Sequence, residues 1–306
     1  ILVTEEEIKE AYEEVDDELI KVIRKAIKNI RDFHEKQIQK SWFETREDGV
    51  MLGQKVTPME TCGVYVPGGK AVYPSSVLMN IVPAHVAGVK NIIMTTPPGK
   101  DGKVTANTLV AAKEAGATKV YKVGGAQAIA AMAFGTESIP KVDKIVGPGN
   151  IFVALAKKAV YGNVSIDSIA GPSEILVLAD ETANPRYVAA DLLSQAEHDE
   201  MASAILVTTS EELAHKVSDE IDGFLNQLSR KEIMEKSLDS FGYILVASDM
   251  KEAIDTANAI ASEHMEIMTA NPFDVMTRIK NAGAIFIGAY SCEPLGDYFA
   301  GPNHVL

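Results

Sequence analysis

The chain's clearest chemical signal is Ser194-Gln195-Ala196-Glu197-His198-Asp199. The run Pro185 to Leu193 before it reads as a helix, with Val188, Ala189, Leu192 and Leu193 on the apolar side. Gln195 and His198 are three apart, so a helix sets them on one face. An imidazole beside oxygen-bearing groups is a hard-to-borderline donor set that suits zinc. Two residues do not complete a site. Glu263-His264, Asp297 and His304 add carboxylates and imidazoles, in short turn-rich segments of small residues.

Glu263 and His264 sit where a predicted helix ends, and such a pair can supply two proton-transfer groups to one substrate. Imidazole titrates near neutrality and is the usual general base. A histidine that complements a helix C-terminus fits the spacing equally well, and both readings stay open. Of the six histidines, His198, His264 and His304 lie in small-residue polar segments. His34 and His215 fall on charged helices, where a surface position is expected; His85, in Val82-Pro83-Ala84-His85-Val86, is open. No HExxH occurs, which argues against the common zinc-peptidase layout.

Gly147-Pro148-Gly149-Asn150 follows a predicted strand and precedes a predicted helix, Ile151–Val160, so its backbone N–H groups could meet an anion. The dinucleotide fingerprint needs Gly or Ala three residues after the second glycine. Phe152 stands there, and no Walker-type phosphate loop is present. Spacing alone therefore favours a tight strand-to-helix turn. The same holds for Gly124-Gly125-Ala126-Gln127, although Gln127 at a strand end is well placed for a ligand in an α/β crevice.

The elements that must position these residues alternate. Residues 4–43 read as helical, with Thr4 capping a first turn of Glu5, Glu6 and Glu7, and a second helix over Asp17–Gln39. Apolar runs at 91–95, 119–123, 144–146 and 174–178 are separated by helical patterns such as Thr105–Ala115 and Ala126–Phe134. A second series, 204–207, 243–246 and 284–287, alternates with helices Glu211–Leu228 and Met250–Ala261. This is the texture of mainly parallel sheets covered by helices. The expectation is two incomplete Rossmann-like α/β halves preceded by N-terminal helices. Gly-Pro stretches at Val66-Pro67-Gly68-Gly69 and Gly171-Pro172-Ser173 are the expected crossings between them.

A chain of 306 residues is long enough for two domains. Lys plus Arg number 29 against 43 Asp plus Glu, a net charge of −14. That balance argues against a nucleic-acid partner. Cys62 and Cys292 are far apart and in no CxxC pattern, so two reduced cytosolic thiols are expected. No apolar run approaches a membrane span, and the acidic N-terminus carries no signal-peptide pattern.

Seven motifs occur in a specific order: Tyr65-Val66-Pro67-Gly68-Gly69, Gly124-Gly125-Ala126-Gln127-Ala128, Gly147-Pro148-Gly149-Asn150, Ala170-Gly171-Pro172-Ser173-Glu174, Ser194 to Asp199, Ser262-Glu263-His264, and Gly296-Asp297-Tyr298 through Gly301 to Leu306. In this the sequence, from about Trp42 to its last residue, resembles the histidinol dehydrogenase family. The resemblance implies oxidation of L-histidinol to L-histidine by two hydride transfers to NAD through a bound aldehyde, the last step of histidine biosynthesis. It implies one zinc per site, held by Gln195, His198 and Asp297. It implies His264 as the base that takes the alcohol proton and Glu263 as the group that activates water. Ser173 and His304 would contact substrate, with Gln195, His198, Glu263, His264 and Asp297 around it. Tyr65, Gln127 and Asn150 would line the NAD site. The implied domains are residues 1–64 plus 174–306, with the zinc and substrate site, and 65–173, binding NAD. A cytoplasmic homodimer with shared sites is also implied.

The family continues past the His-Val-Leu motif into a small domain that supplies a further zinc-ligating histidine and a substrate-binding glutamate. The sequence stops at Leu306 and its N-terminal segment is short, so the expectation is an incomplete enzyme that binds zinc weakly and turns over poorly. The alternatives are a family member acting on another polar alcohol, such as a sulfonated diol, and a zinc hydrolase or binding protein. A sulfonate needs Arg or Lys, and the motifs quoted contain neither.

Overall fold

The computed structural model describes residues 1–68 and 74–303. The chain divides into two compact units, Ile1–Ala170 with Asp297–Leu306, and Gly171–Gly296. The first crossing falls at the Gly171-Pro172-Ser173 stretch. This division assigns residues 1–64 to the first unit, whereas the sequence grouped them with the metal and substrate residues.

The first unit opens with helices α1 (Glu5–Glu14) and α2 (Asp17–His34), the latter followed by a 3-10 turn, Glu35–Gln37. Thr4 and Glu7 form a reciprocal capping box on α1. Helix α2 buries Ile20, Ile23, Ala26 and Ile30 at helical spacing and leaves its charges outside. An antiparallel ribbon follows, β1 (Trp42–Thr45) with β2 (Met51–Gln54), in place of the helix expected to residue 43. Then come β3 (Thr61–Tyr65), α3 (Pro74–Val86), β4 (Asn91–Thr96), α4 (Ala106–Ala115), β5 (Lys119–Lys122), α5 (Gly125–Phe134), β6 (Lys144–Val146), α6 (Ile151–Val160) and β7 (Ser165–Ile166). The sheet is parallel in the order β5-β4-β3-β6-β7. Val64, Met94 and Ile92 pack with α1 to α4 on one face; Tyr65, Ile93, Tyr121 and Ile145 pack with α5 and α6 on the other.

The second unit repeats the plan. Its elements are β8 (Glu174–Ala179), α7 (Pro185–Ala196), β9 (Ser203–Thr208), α8 (Glu211–Leu225), α9 (Lys231–Phe241), β10 (Gly242–Val246), α10 (Met250–Ile260), β11 (His264–Met268), α11 (Pro272–Met276), β12 (Ala284–Ile287) and α12 (Glu293–Leu295). Its sheet is parallel in the order β10-β9-β8-β11-β12. Helices α7 to α9 cover one face and α10 and α11 the other. A π turn, Gly296–Ala300, returns the chain to the first unit.

In both sheets the strand order reverses beside the first strand, between β3 and β6 and between β8 and β11. Ligands in open α/β sheets bind at such reversals, beyond the carboxyl ends of the strands. In the first unit β3 ends at Tyr65 and β6 runs into Gly147-Pro148-Gly149-Asn150. Two expected NAD residues thus stand at the reversal, and Gln127, in the first turn of α5, stands just after β5. The second unit departs from the rule. Its candidate catalytic residues lie at the amino ends of β8 and β11.

Candidate active site

The proton-transfer residues are placed by strand pairing. His264 opens β11 and registers against Ile175 of β8, so Glu263 and Glu174 are neighbours at the sheet edge. Their bonds are reciprocal: the Glu174 amide donates to the Glu263 carboxylate, and the Glu263 amide to the Glu174 carboxylate, each at 3.3 Å. The His264 Nδ1 lies 3.1 Å from the Glu174 carbonyl oxygen and 3.7 Å from the Glu263 carboxylate. His264 is 5% exposed at its side chain and Glu263 35%, so an enclosed imidazole stands beside a carboxylate open to water.

The sequence allowed His264 to be a helix C-terminal histidine. The structure corrects that: α10 stops at Ile260, and Ala261 adopts a left-handed φ of 56° before the strand begins. For a residue with a Cβ this conformation costs roughly 1–2 kcal/mol. The strain adjoins the Ser262-Glu263-His264 motif.

Gln195 and His198 close α7, whose start is fixed by the Asn184 cap and Pro185. As helical spacing requires, they meet: Gln195 Nε2 and His198 Nδ1 are 3.1 Å apart. Gln195 is buried and its Oε1 has no hydrogen-bond partner. A buried amide oxygen without a partner is costly, and a cation would satisfy it. Asp297, directly after Gly296, is grouped with His264 and Glu293: one ligand atom from each lies within 4.8 Å of the others, and all three residues are buried. Ser173 is half-buried just before β8. His304 lies outside the described residues.

Three acidic residues at this site were not singled out from the sequence. Glu293 opens α12, and its amide donates to Glu266 Oε1 at 2.7 Å. Burial, and then Asp191, push the Glu266 carboxyl well above the usual carboxylate range. Burial also raises Asp191. The available signal was an acid inside an apolar pattern: Glu266 within Met265-Glu266-Ile267-Met268, and Asp191 beside Leu192 and Leu193. His34, expected at the surface, is buried, with Nδ1 at 2.6 Å from Gln37 Oε1.

In the first unit the Gly125 amide donates to the Tyr65 hydroxyl at 3.0 Å, joining the end of β3 to the start of α5. Asn150 caps α6, its Oδ1 accepting from the Phe152 and Val153 amides at 3.1 and 3.2 Å. Gln127 and Asn150 are both exposed. Helix starts and an exposed amide pair at a topological reversal suit a phosphate-bearing ligand.

Comparison with known proteins decides the family. A family model described as histidinol dehydrogenase matches residues 1–306. The chain belongs to the histidinol dehydrogenase family. It is 61% identical to the histidinol dehydrogenase of Bacillus subtilis (strain 168) over 305 residues, 100% of this chain and 71% of that protein. It is 62% identical over 306 residues to the histidinol dehydrogenase of Caldanaerobacter subterraneus subsp. tengcongensis, again 71% of that protein. The crystal structure of Elizabethkingia anophelis histidinol dehydrogenase superposes with a TM-score of 0.96 at 43% identity, covering 99% of this chain and 70% of that one. A propionaldehyde dehydrogenase from Clostridium phytofermentans, 14% identical with a TM-score of 0.54, shares the fold alone. No described helix is long and apolar enough to cross a membrane.

Proposed function

We propose that this chain catalyses the NAD-dependent oxidation of L-histidinol to L-histidine through a bound aldehyde, the last step of histidine biosynthesis. The observation that carries the reading is the Glu263-His264 edge, found in a chain matched along its whole length by one family. A backbone carbonyl can only accept, so the Glu174 carbonyl keeps the His264 proton on Nδ1 and leaves Nε2 as the basic atom. Hydride leaves a carbinol only as the hydroxyl proton departs, and His264 Nε2 is the atom to receive it. Oxidation of the aldehyde requires its hydrate, and the solvent-facing Glu263 carboxylate is the group to draw a proton from water.

A zinc ion, when bound, would fix the substrate's imidazole and amine nitrogens and hold the aldehyde in place between steps. Gln195, His198 and Asp297 are the proposed ligands. The buried, unpartnered Gln195 Oε1 supports that set, and Glu293 beside Asp297 adds an oxygen donor. Ser173 and His304 are the proposed substrate contacts. Tyr65, Gln127 and Asn150 would bind NAD in the first unit, while the second unit carries the proton-transfer residues. We also read the protein as a cytoplasmic homodimer. The test is L-histidinol-dependent NADH formation that a chelator abolishes and zinc restores. NADH formation that survives exhaustive chelation would remove the metal from this reading, and none with L-histidinol would remove the substrate.

A further inference from the structure

Helix α6 carries a lysine on its buried face. It exposes Ile151, Phe152 and Leu155, at 64%, 68% and 54%, and turns Lys157 inward beside Val153, Ala154 and Val160. Lys157 is 3% exposed and forms an ion pair with Asp167, itself 11% exposed, just after β7. The two side chains converge on one residue. Lys157 Nζ donates to the Gly147 carbonyl at 2.9 Å, and the Gly147 amide donates to Asp167 Oδ2 at 2.7 Å. Asp167 is held in turn by the Ser168 amide, donating to Oδ1 at 2.7 Å, and by its own amide, donating to Ile145 at 3.2 Å.

Gly147 needs such a hold. Its φ is +114°, and a Cβ there would lie 2.0 Å from the Tyr65 carbonyl oxygen. The loop therefore seats directly on the residue whose hydroxyl receives the Gly125 amide. A buried ion pair adds little net stability, because desolvating two charges offsets their attraction. An apolar residue at 157 would suit the buried face of α6 better. Stability does not account for the pair; what it does is fix both amide groups of the glycine from which the loop to Asn150 departs.

We infer that Lys157 and Asp167 are positioning residues that preset the Gly147-Pro148-Gly149-Asn150 loop for the dinucleotide. The inference rests on the reading that NAD binds at this loop. Neither side chain touches the ligand; each acts through Gly147. A loop set in advance spares the ligand the cost of ordering it.

The experiment is NADH binding to the 306-residue chain, followed by fluorescence, in Lys157→Met, Asp167→Asn and the apolar pair Lys157→Met/Asp167→Leu, with Gln127→Ala and Asn150→Ala as direct-contact variants. Thermal melting reports folding, and L-histidinol binding is measured alongside. The expected result is NADH binding about tenfold weaker in the folded clamp variants, with L-histidinol binding within about twofold of the parent. The apolar pair should melt close to the parent and still bind NADH weakly, which a purely structural role would not produce. Clamp variants that bind NADH normally while Gln127→Ala and Asn150→Ala bind it weakly overturn the inference and keep the NAD site. Normal NADH binding by all the variants overturns both. Amide exchange on the parent needs no variant: the Gly147 amide should be slow before NADH is added. Fast exchange that slows only on binding contradicts a preset loop.

Discussion

His264 Nδ1 faces the backbone carbonyl of Glu174 at 3.1 Å, and this contact fixes which ring nitrogen can act as the base. It joins the first residue of β11 to the first residue of β8, so the strand register that builds the sheet also sets the tautomer. Replacing His264 by Asn removes the base while the strand stays. The turnover of L-histidinol should fall by about 10²–10⁴-fold, with thermal unfolding shifted little. Steady-state kinetics beside a melting curve check it. A loss below tenfold would reassign the base.

Gln195 places an unpartnered oxygen 1% exposed at the end of α7. Gln195→Ala should weaken zinc binding by about 10–100-fold. Competition with a chromophoric chelator measures it. Unchanged affinity would take Gln195 out of the ligand set.

Gly147 and Gly162 both have positive φ, +114° and +98°. Only Gly147 meets backbone where a Cβ would stand; Gly162 has nothing within 4 Å. Gly147→Ala should cost about 3 kcal/mol or prevent folding, and Gly162→Ala about 1 kcal/mol. Urea unfolding of the two variants separates close approach from backbone strain.

Glu114 ties the N-terminal helices α1 and α2 to α4. It accepts from Arg24 through two nitrogens at 2.8 Å and from the Tyr12 hydroxyl at 2.7 Å. The Arg24 guanidinium holds its carboxyl below the usual value of 4.5. A depressed carboxylate contributes stability that is complete above the unfolded value and lost as pH falls through the folded one. Glu114→Gln should therefore destabilise the protein at pH 7 by about 1 kcal/mol, the pair being partly screened by solvent. The difference should shrink below pH 4.5. Melting curves across that range decide it; a difference constant down to pH 3 would mean the charge is not the source.

The alternation of β and α elements was legible because buried parallel strands must be apolar runs, and 91–95, 174–178 and 204–207 are such runs. The placement of α7 also followed from sequence, since Pro185 and the apolar spacing fix it, and Gln195 then meets His198. Helix α3 was not legible: it is apolar nearly all round and carries Pro83 inside. Strand β11 was hidden because His264 and Glu266, both buried, interrupt its apolar pattern. The acids Asp191, Glu266 and Glu293 converge from α7, β11 and α12, and no local pattern brings three separate elements together. The Lys157 contact was obscured because a lysine next to the exposed Lys158 reads as a surface charge, although it shares a face with the buried Val153, Ala154 and Val160.

The most direct measurement is the amount of NADH formed per L-histidinol with substrate limiting, in the parent chain with zinc and in Glu263→Gln. An alcohol-to-acid oxidation requires about two NADH per substrate, and blocking water activation stops it after about one. The expected values are about two for the parent and about one for the variant. About two from Glu263→Gln, or no NADH from the parent, would contradict this mechanism.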